Sequence, residues 1–274
     1  MKRTLILGCG DLGSTVGVQL AQSHHKVTGI RRQGHKIPTS IEPLALNLFQ
    51  ALPEAEWLSS FSLVYVILTP SERTQNAYEK TYGELVPRIM ERLGETNAKQ
   101  RIVLTSSSHV YAEKEGGAVD EQTPTAAYDY RSRALIQAEK SLFALSPVKE
   151  VICVRFSGLY RTESPYLQKQ LTADQAIDNP EQYTNRLHRE DAVGFLKHMA
   201  HLDSPKNIYL ASDDCPVTRR ELYTTLARAQ GLSVRFSSET SSHGKQCLNQ
   251  RMKDSGYVLQ YANYREGFKL PAGI

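Results

Sequence analysis

The sequence predicts an α/β protein built on a doubly wound parallel sheet. A short apolar strand, Leu5-Ile6-Leu7, runs straight into Gly8-Cys9-Gly10-Asp11-Leu12-Gly13, a G-x-G-x-x-G turn. Strand candidates then recur at 3–8, 26–30, 43–48, 62–68, 101–106, 149–155 and 207–211, with helical stretches between them. Several are near-continuous apolar runs, such as Leu63-Val64-Tyr65-Val66-Ile67-Leu68 and Val151-Ile152-Cys153-Val154, the pattern of strands covered on both faces. Strands alternating with helices are the signature of a sheet wound on both sides.

The first unit is the most legible. Leu12, Val16 and Leu20 recur every four residues and give a helix one buried stripe. Lys26-Val27-Thr28-Gly29-Ile30 supplies the next strand, so strand, turn, helix and strand fit within about 30 residues, the span of a βαβ unit. In that context the glycines have separate tasks: Gly8 makes the sharp turn, Gly10 leaves no Cβ against a ligand, and Gly13 lets the helix lie close on the sheet. The backbone of Gly8, Gly10, Asp11, Leu12 and Gly13 then forms a cradle for a dinucleotide diphosphate at a helix N-terminus.

The second strand ends in Arg31-Arg32, and no acid occurs between Asp11 and Glu42. A carboxylate at that strand end accepts from a ribose 2′-OH and selects NAD. A guanidinium instead pairs with a 2′-phosphate. NADP is therefore the expected cofactor ahead of NAD, the alternative being that both arginines point into solvent. Ligands in such folds bind beyond the carboxyl ends of the strands. This adds Asn47 and Leu48 after the third strand, near an adenine edge, and Thr69 and Pro70 after the fourth, where a simple strand stop is the competing reading.

Later elements are read in the same way. Leu135, Ala138, Leu142 and Leu145 keep a core-facing helical period. Beyond residue 160 the pattern loosens. Residues 161–186 are polar, and 213–274 add a helix from Arg220 to Ala229 and a short Gly/Ser/aromatic tail. The expectation is one domain over 1–274, with 161–186 and 213–274 forming a small C-terminal, substrate-side portion.

Composition narrows the function classes. Apolar content of 40% and charged content of 23% are ordinary for a soluble globular chain of 274 residues. The net charge of +4 comes without a dense basic block, which argues against nucleic acid as a partner. The longest apolar run, Leu63 to Leu68, is far too short to span a membrane, and Met1-Lys2-Arg3 begins a strand rather than a signal peptide. Cys9, Cys153, Cys215 and Cys247 are dispersed and read as thiols of a reducing cytoplasm; no His, Asp or Glu set has metal spacing.

After the fifth strand comes Thr105-Ser106-Ser107-Ser108-His109-Val110-Tyr111-Ala112. It resembles the S-S-x-x-V-Y-G segment of the extended short-chain dehydrogenases/reductases, the NAD(P)-dependent epimerase/dehydratase group. Asp120-Glu121-Gln122-Thr123-Pro124, Val154-Arg155-Phe156-Ser157-Gly158-Leu159-Tyr160 and Leu187-His188-Arg189-Glu190-Asp191-Ala192 are similar, in order, to its D-E-x-x-P, L-R-x-x-x-x-Y-G and I-H-V-x-D-V segments. The glycine spacing and short C-terminal part are most similar to the atypical, YeeZ-like members. The resemblance implies a Rossmann-like fold and a small hydroxyl- or carbonyl-bearing substrate such as a nucleotide sugar. It leaves the oligomeric state open, a homodimer being common for the class.

The resemblance also implies Ser, Tyr and Lys chemistry: a Tyr exchanges a proton with the substrate oxygen, a Lys four residues on lowers its pKa, and the Ser orients the oxygen. Ser107 matches that Ser. The Tyr-x-x-x-Lys is absent: in Tyr128-Asp129-Tyr130-Arg131-Ser132-Arg133, Arg133 stands in the Lys position and Asp129 in the Tyr position. Tyr128 or Tyr130 with Arg133 is then the candidate displaced pair, against the reading that they only line the pocket. The enzyme reading competes with a catalytically silent NADP(H)-binding sensor or interaction protein. His188, beside Asp191, reads as a packing or capping residue. Serine hydrolysis is excluded because Ser106–Ser108 lack G-x-S-x-G.

Overall fold

The computed structural model describes residues 2–173 and 175–271. Its strands are β1 (Arg3–Leu7), β2 (Lys26–Arg31), β3 (Glu42–Ala45), β4 (Leu63–Val66), β5 (Arg101–Ser107), β6 (Glu115–Val119), β7 (Glu150–Phe156), β8 (Gly158–Tyr160), β9 (Tyr183–Thr184), β10 (Arg186–His188), β11 (Ile208–Ala211), β12 (Val217–Thr218) and β13 (Gly244–Cys247). Its helices are α1 (Asp11–Gln22), α2 (Ala55–Ser59), α3 (Gln75–Tyr78), α4 (Val86–Gly94), α5 (Tyr130–Phe143), α6 (Pro165–Thr172), α7 (Arg189–Met199), α8 (Arg219–Arg228), α9 (Gln250–Asp254) and α10 (Tyr264–Gly267), with a π-helical turn over Glu79–Leu85.

Seven strands form one sheet in the order β11-β7-β5-β4-β1-β2-β3. Each of the seven falls on a strand candidate of the sequence, and the sheet is parallel and Rossmann-like. In register, Leu5 faces Thr28 of β2 and Val64 of β4. The chain leaves β1 toward β2 and β3 on one side and returns to β4 and β5 on the other. The switch point, where doubly wound sheets bind ligands, therefore lies between β1 and β4. Leu5, Ile6, Val64, Tyr65, Val66, Ile102, Val103, Ile152 and Val154 are fully buried, which is why these strands lack a polar face. β3 is the exception. It is mostly exposed, contains Pro43 and lies at the sheet edge, where a missing N–H is tolerated. It stops at Ala45, short of the expected 48, because Asn47 starts a turn: its side chain accepts from Phe49 N at 3.3 Å and its carbonyl from Gln50 N at 2.9 Å.

α5 is fixed from two sides. Asp129 is its N-cap in a reciprocal capping box with Ser132, worth about 1 kcal/mol to a helix start. Further along, Glu139 forms an ion pair with Arg155 of β7 at 2.7 Å, both side chains 4% exposed, and accepts from Ser106 Oγ at 2.6 Å. Successive β5 residues point to opposite faces. Ser106 is spent on this buried pair, and Ser107 is directed away from it.

The chain divides into two compact units: Met1–Val110, Thr125–Arg155 and Val193–Tyr209 in one, and Tyr111–Pro124, Phe156–Ala192 and Leu210–Ile274 in the other. The expected cap segments 161–186 and 213–274 fall in the second, apart from residues 174 and 272–274, which lie outside the described residues. The second unit has its own core of Leu167 and Leu171 from α6, Ile177, Val217, Tyr264, and Leu222, Tyr223 and Leu226 from α8. It also takes in 111–124, whose β6 pairs in parallel with β13. Asp191 anchors its C-terminal segment by accepting from Gln260 N at 2.6 Å, Tyr261 N at 3.0 Å and the Tyr257 hydroxyl at 3.1 Å. His188 packs its ring against Tyr160 and Tyr261, and burial lowers its pKa.

Candidate functional site

The glycine turn closes β1 at the switch point. Gly8 has φ +92, and a Cβ there would meet the Ile67 carbonyl oxygen at 2.1 Å, so the turn lies directly against the end of β4. A Cβ on Gly13 would meet Gly8 O at 2.7 Å and Ile6 Cγ2 at 3.0 Å, the close helix-to-strand approach expected of the third glycine. Gly10 differs: it has φ −80, and a Cβ there would meet nothing within 4 Å. Neither backbone strain nor packing requires glycine at position 10, so the absence of a side chain serves the open space above the turn. Gly10 is also the N-cap of the 12-residue α1 and brings no side-chain bond to that end. Cys9 turns the other way, buried against Gly29 of β2, where a Cβ would come within 2.6 Å of its sulfur. Burial raises its thiol pKa, which makes it a packing group rather than a nucleophile.

The other expected cofactor positions lie at the carboxyl ends of the same parallel strands. Arg31 ends β2 half-buried, with Nη1 3.4 Å from the Lys36 carbonyl, and Arg32 beside it is exposed. Sequence reading stopped at those two. The structure adds His35 and Lys36, both exposed in the 3₁₀ turn Gly34–Lys36 that follows the strand. Asn47 is half-buried after β3, while Leu48 is 6% exposed and packs in the core. Thr69 is exposed and Pro70 half-buried beyond β4. Donors at α1, room at Gly10, and basic side chains at the end of β2 fit a dinucleotide.

The expected catalytic residues are only partly brought together. Ser107 ends β5, and its hydroxyl accepts from His109 N at 3.2 Å, capping the 3₁₀ turn Ser108–Val110. That turn presents the His109 ring to the start of α5. There Asp129 Oδ2 lies 2.9 Å from His109 Nε2, while its Oδ1 caps the helix through Ser132 N at 2.8 Å. Burial alone would raise the Asp129 carboxyl, but bonds from Ser132 and His109 outweigh it and hold it at about 2. The Tyr128 hydroxyl stands at the ring edge, 3.2 Å from Nδ1 and 3.1 Å from Nε2, and donates to the His109 carbonyl at 3.0 Å. Burial, reinforced by the Asp129 charge, pushes its phenol up to about 12.

Tyr130 and Arg133 do not join this group. The Tyr130 hydroxyl donates to the Arg73 carbonyl at 2.8 Å and accepts from Arg131 Nε at 3.2 Å, with its ring edge-on to Tyr78. Arg133 is exposed on α5. Sequence reading missed His109 as a partner of Asp129. The available signal was Asp129-x-x-Ser132, a capping pattern that marks the start of α5 and brings residue 129 back to the end of β5.

No family model matches the chain, and no curated protein does either. Solved structures do. A protein from Methylobacillus flagellatus described as a candidate NAD-dependent epimerase/dehydratase is 26% identical, with 98% of this chain and 96% of that one aligned at a TM-score of 0.77. MoeE5, solved with UDP-glucuronic acid and NAD, aligns over 98% and 97% at 17% identity and a TM-score of 0.80. UDP-glucuronic acid 4-epimerase from Bacillus cereus, solved with NAD, aligns over 98% and 95% at 14% identity and a TM-score of 0.76. In fold the chain is similar to these NAD-dependent epimerase/dehydratase structures, and its glycine turn closes β1 at the switch point of a Rossmann-like parallel sheet. Among the described residues, no helix is long and apolar enough to cross a membrane, and no group of three or more His, Cys, Asp or Glu could hold a metal ion.

Proposed function

We propose that this chain is an NADP(H)-dependent enzyme of hydride-transfer chemistry acting on a small hydroxyl- or carbonyl-bearing substrate, with nucleotide sugars the class to test first. One observation carries the reading: Gly10 is the N-cap of α1, with nothing within 4 Å of where its Cβ would be. The ligands of the similar structures, NAD and UDP-sugars, motivate the substrate class. Simple oxidoreduction, epimerisation and dehydration all begin with the same hydride step.

The bound nicotinamide would supply the hydride acceptor or donor. The chain supplies position and charge. Backbone amides at Asp11, Leu12 and Gly13 hold the diphosphate over the turn of Gly8 and Gly10, the Gly10 N–H being donated to the Gly8 carbonyl. Asn47, Thr69 and Pro70 flank the nucleotide with Leu48 packed in the core beneath them, and Arg31 and Arg32 select the 2′-phosphate. Ser107 orients the substrate oxygen and Tyr128 lies where a proton can pass. Tyr130 and Arg133 stay in the proposal as residues of the first turn of α5, with the proton role passing to Tyr128. A cytoplasmic homodimer belongs to the same reading. The competing reading, a silent NADP(H) sensor, is favoured by the engagement of the Tyr130 hydroxyl with Arg73 and by the exposure of Arg133.

The test is binding followed by turnover: calorimetry with NADP⁺ and NAD⁺, then absorbance at the reduced-nicotinamide band with UDP-glucose and UDP-glucuronic acid. Tighter NADP⁺ binding with turnover supports the enzyme. Tight binding without turnover on the panel supports the sensor, and tighter NAD⁺ binding overturns the cofactor assignment.

A further inference from the structure

The second unit holds a positive charge that the chain leaves unmatched. Arg186 of β10 is half-buried, and among the described residues its guanidinium makes one hydrogen bond, to Thr184 Oγ1, and no ion pair. Thr184 Oγ1 is itself fixed by donating to the Val217 carbonyl at 3.0 Å. Elsewhere, arginines withdrawn from solvent have a carboxylate: Arg101 has Glu150, Arg155 has Glu139 and Arg189 has Glu190. A charge taken from water calls for such a partner. Burial lowers the Arg186 pKa accordingly.

Two acceptors lie close to it and neither is used. β8 and β10 pair in parallel with Gly158 opposite Arg186 and Tyr160 opposite His188. The Arg186 and Tyr160 side chains therefore share one face, two positions apart. The Tyr160 hydroxyl is buried without a partner, against Gly267, where a Cβ would come within 1.9 Å of it. Asp213 N donates to the Arg186 carbonyl at 2.6 Å, which sets Asp213 beside β10. Its Oδ1 accepts from Cys215 N at 3.1 Å, and its Oδ2 is buried without a partner. Burial raises the Asp213 carboxyl by more than the Arg186 charge lowers it, the opposite of a formed ion pair. No Arg186 nitrogen is among the sealed, unpartnered atoms, so the part of its fork that Thr184 leaves unused opens on solvent.

We propose that Arg186 anchors an oxyanion site in the second unit, and that the substrate carries the phosphate or carboxylate group that fills it; calling that ligand a substrate rests on the hydride-transfer reading. Two N–H groups of the fork meet two oxygens of one anionic group, a match that a guanidinium makes and an ammonium does not. The anion supplies the counter-charge that Asp213 and Tyr160 withhold. A neutral polyol would leave the charge as it stands. A second guanidinium strengthens the positive potential: Arg219 lies 6.0 Å from the centre of the Tyr223 ring, and Tyr223 feels the charges of both Arg219 and Arg186. The site binds and orients; no bond is made or broken on it.

The test is calorimetric titration of the unmodified chain, Arg186→Gln and Arg186→Lys with UDP-glucose, glucuronate and glucose. Each titration is run with and without saturating NADP⁺, which blocks the glycine turn against the probes. Arg186→Gln is expected to lose about 10²-fold in affinity for the anionic probe, and Arg186→Lys, which keeps the charge without the fork, about 10-fold. NADP⁺ affinity stays within twofold, and the Tm of Arg186→Gln stays within about 2 °C because no ion pair is broken. A loss on UDP-glucose assigns the phosphate, and a loss on glucuronate assigns the carboxylate. Equal affinity of variant and unmodified chain for both, or no binding of either by the unmodified chain, overturns the site. If Arg186→Gln does not fold, Arg186→Lys decides in the same way. Turnover on the substrate panel with anion binding indifferent to Arg186 overturns the site and leaves the enzyme reading standing. Arg186-dependent anion binding by a chain that binds no NADP⁺ overturns the enzyme reading and leaves the site.

Discussion

Gly10→Ala separates a glycine needed by the fold from one needed by the ligand. Its φ of −80 is comfortable for alanine, and the added Cβ meets no atom within 4 Å. The folding cost is therefore only the poorer N-cap propensity of Ala, at most about 1 kcal/mol. For a domain of this size that lowers Tm by about 2–4 °C. The ligand is affected differently. The methyl group enters the space assigned to the diphosphate, and forcing a methylene into filled space costs about 1–3 kcal/mol. NADP⁺ affinity then falls by about 5- to 150-fold.

Gly8→Ala is the contrast. Its φ of +92 and the 2.1 Å approach to Ile67 O add about 1–3 kcal/mol of backbone strain to a clash with the end of β4, so the fold itself suffers. Differential scanning fluorimetry and calorimetric titration of both variants make the comparison. A Gly10→Ala protein that binds NADP⁺ as tightly as the unmodified chain would show that the open space holds no diphosphate.

Three further outcomes are expected. Arg31→Ala weakens NADP⁺ by about 10- to 100-fold and leaves NAD⁺ unchanged, the loss of charge-assisted bonds worth about 1.5–3 kcal/mol, measured by titration with both nucleotides. Glu139→Ala removes the carboxylate partner of the buried Arg155 guanidinium and costs about 3–5 kcal/mol in urea unfolding, whereas a double change of Glu139 and Arg155 to methionine recovers most of it. The Asp213 carboxyl is pushed up to about 7, chiefly by burial, with only one oxygen bonded, to Cys215 N. Folding therefore favours its protonated form between the ordinary carboxylate pKa of about 4 and pH 7. Stability should fall as pH rises through that window, and Asp213→Asn should remove this fall in Tm scans from pH 4 to 8.

The sheet was legible because burial on both faces writes each strand as a run of apolar residues, as at Val64 to Val66 and Ile152 to Val154. The glycine turn was legible because backbone geometry restricts residue type at Gly8 and Gly13. What escaped the sequence has local causes. β8, β9, β10 and β12 are two or three residues long and too short to show a period. β6, Glu-Gly-Gly-Ala-Val, has little apolar content and is a strand only because β13 pairs with it. In the site, Ser107 could be placed by its segment. The partnership of His109 with Asp129 joins positions 20 apart, and neither residue type fixes that distance without the capping of α5. Tyr130 shows the converse: three positions on a helix bring it near Arg133 in register, yet Arg73 and Tyr78 claim its ring and hydroxyl.

Titrating the unmodified protein with NADP⁺ in a calorimeter tests the central claim most directly. Saturable one-site heat, a dissociation constant below that for NAD⁺, and a rise in Tm that tracks occupancy are the results this account predicts. Flat thermograms and an unmoved Tm at millimolar concentrations of both nucleotides would contradict it.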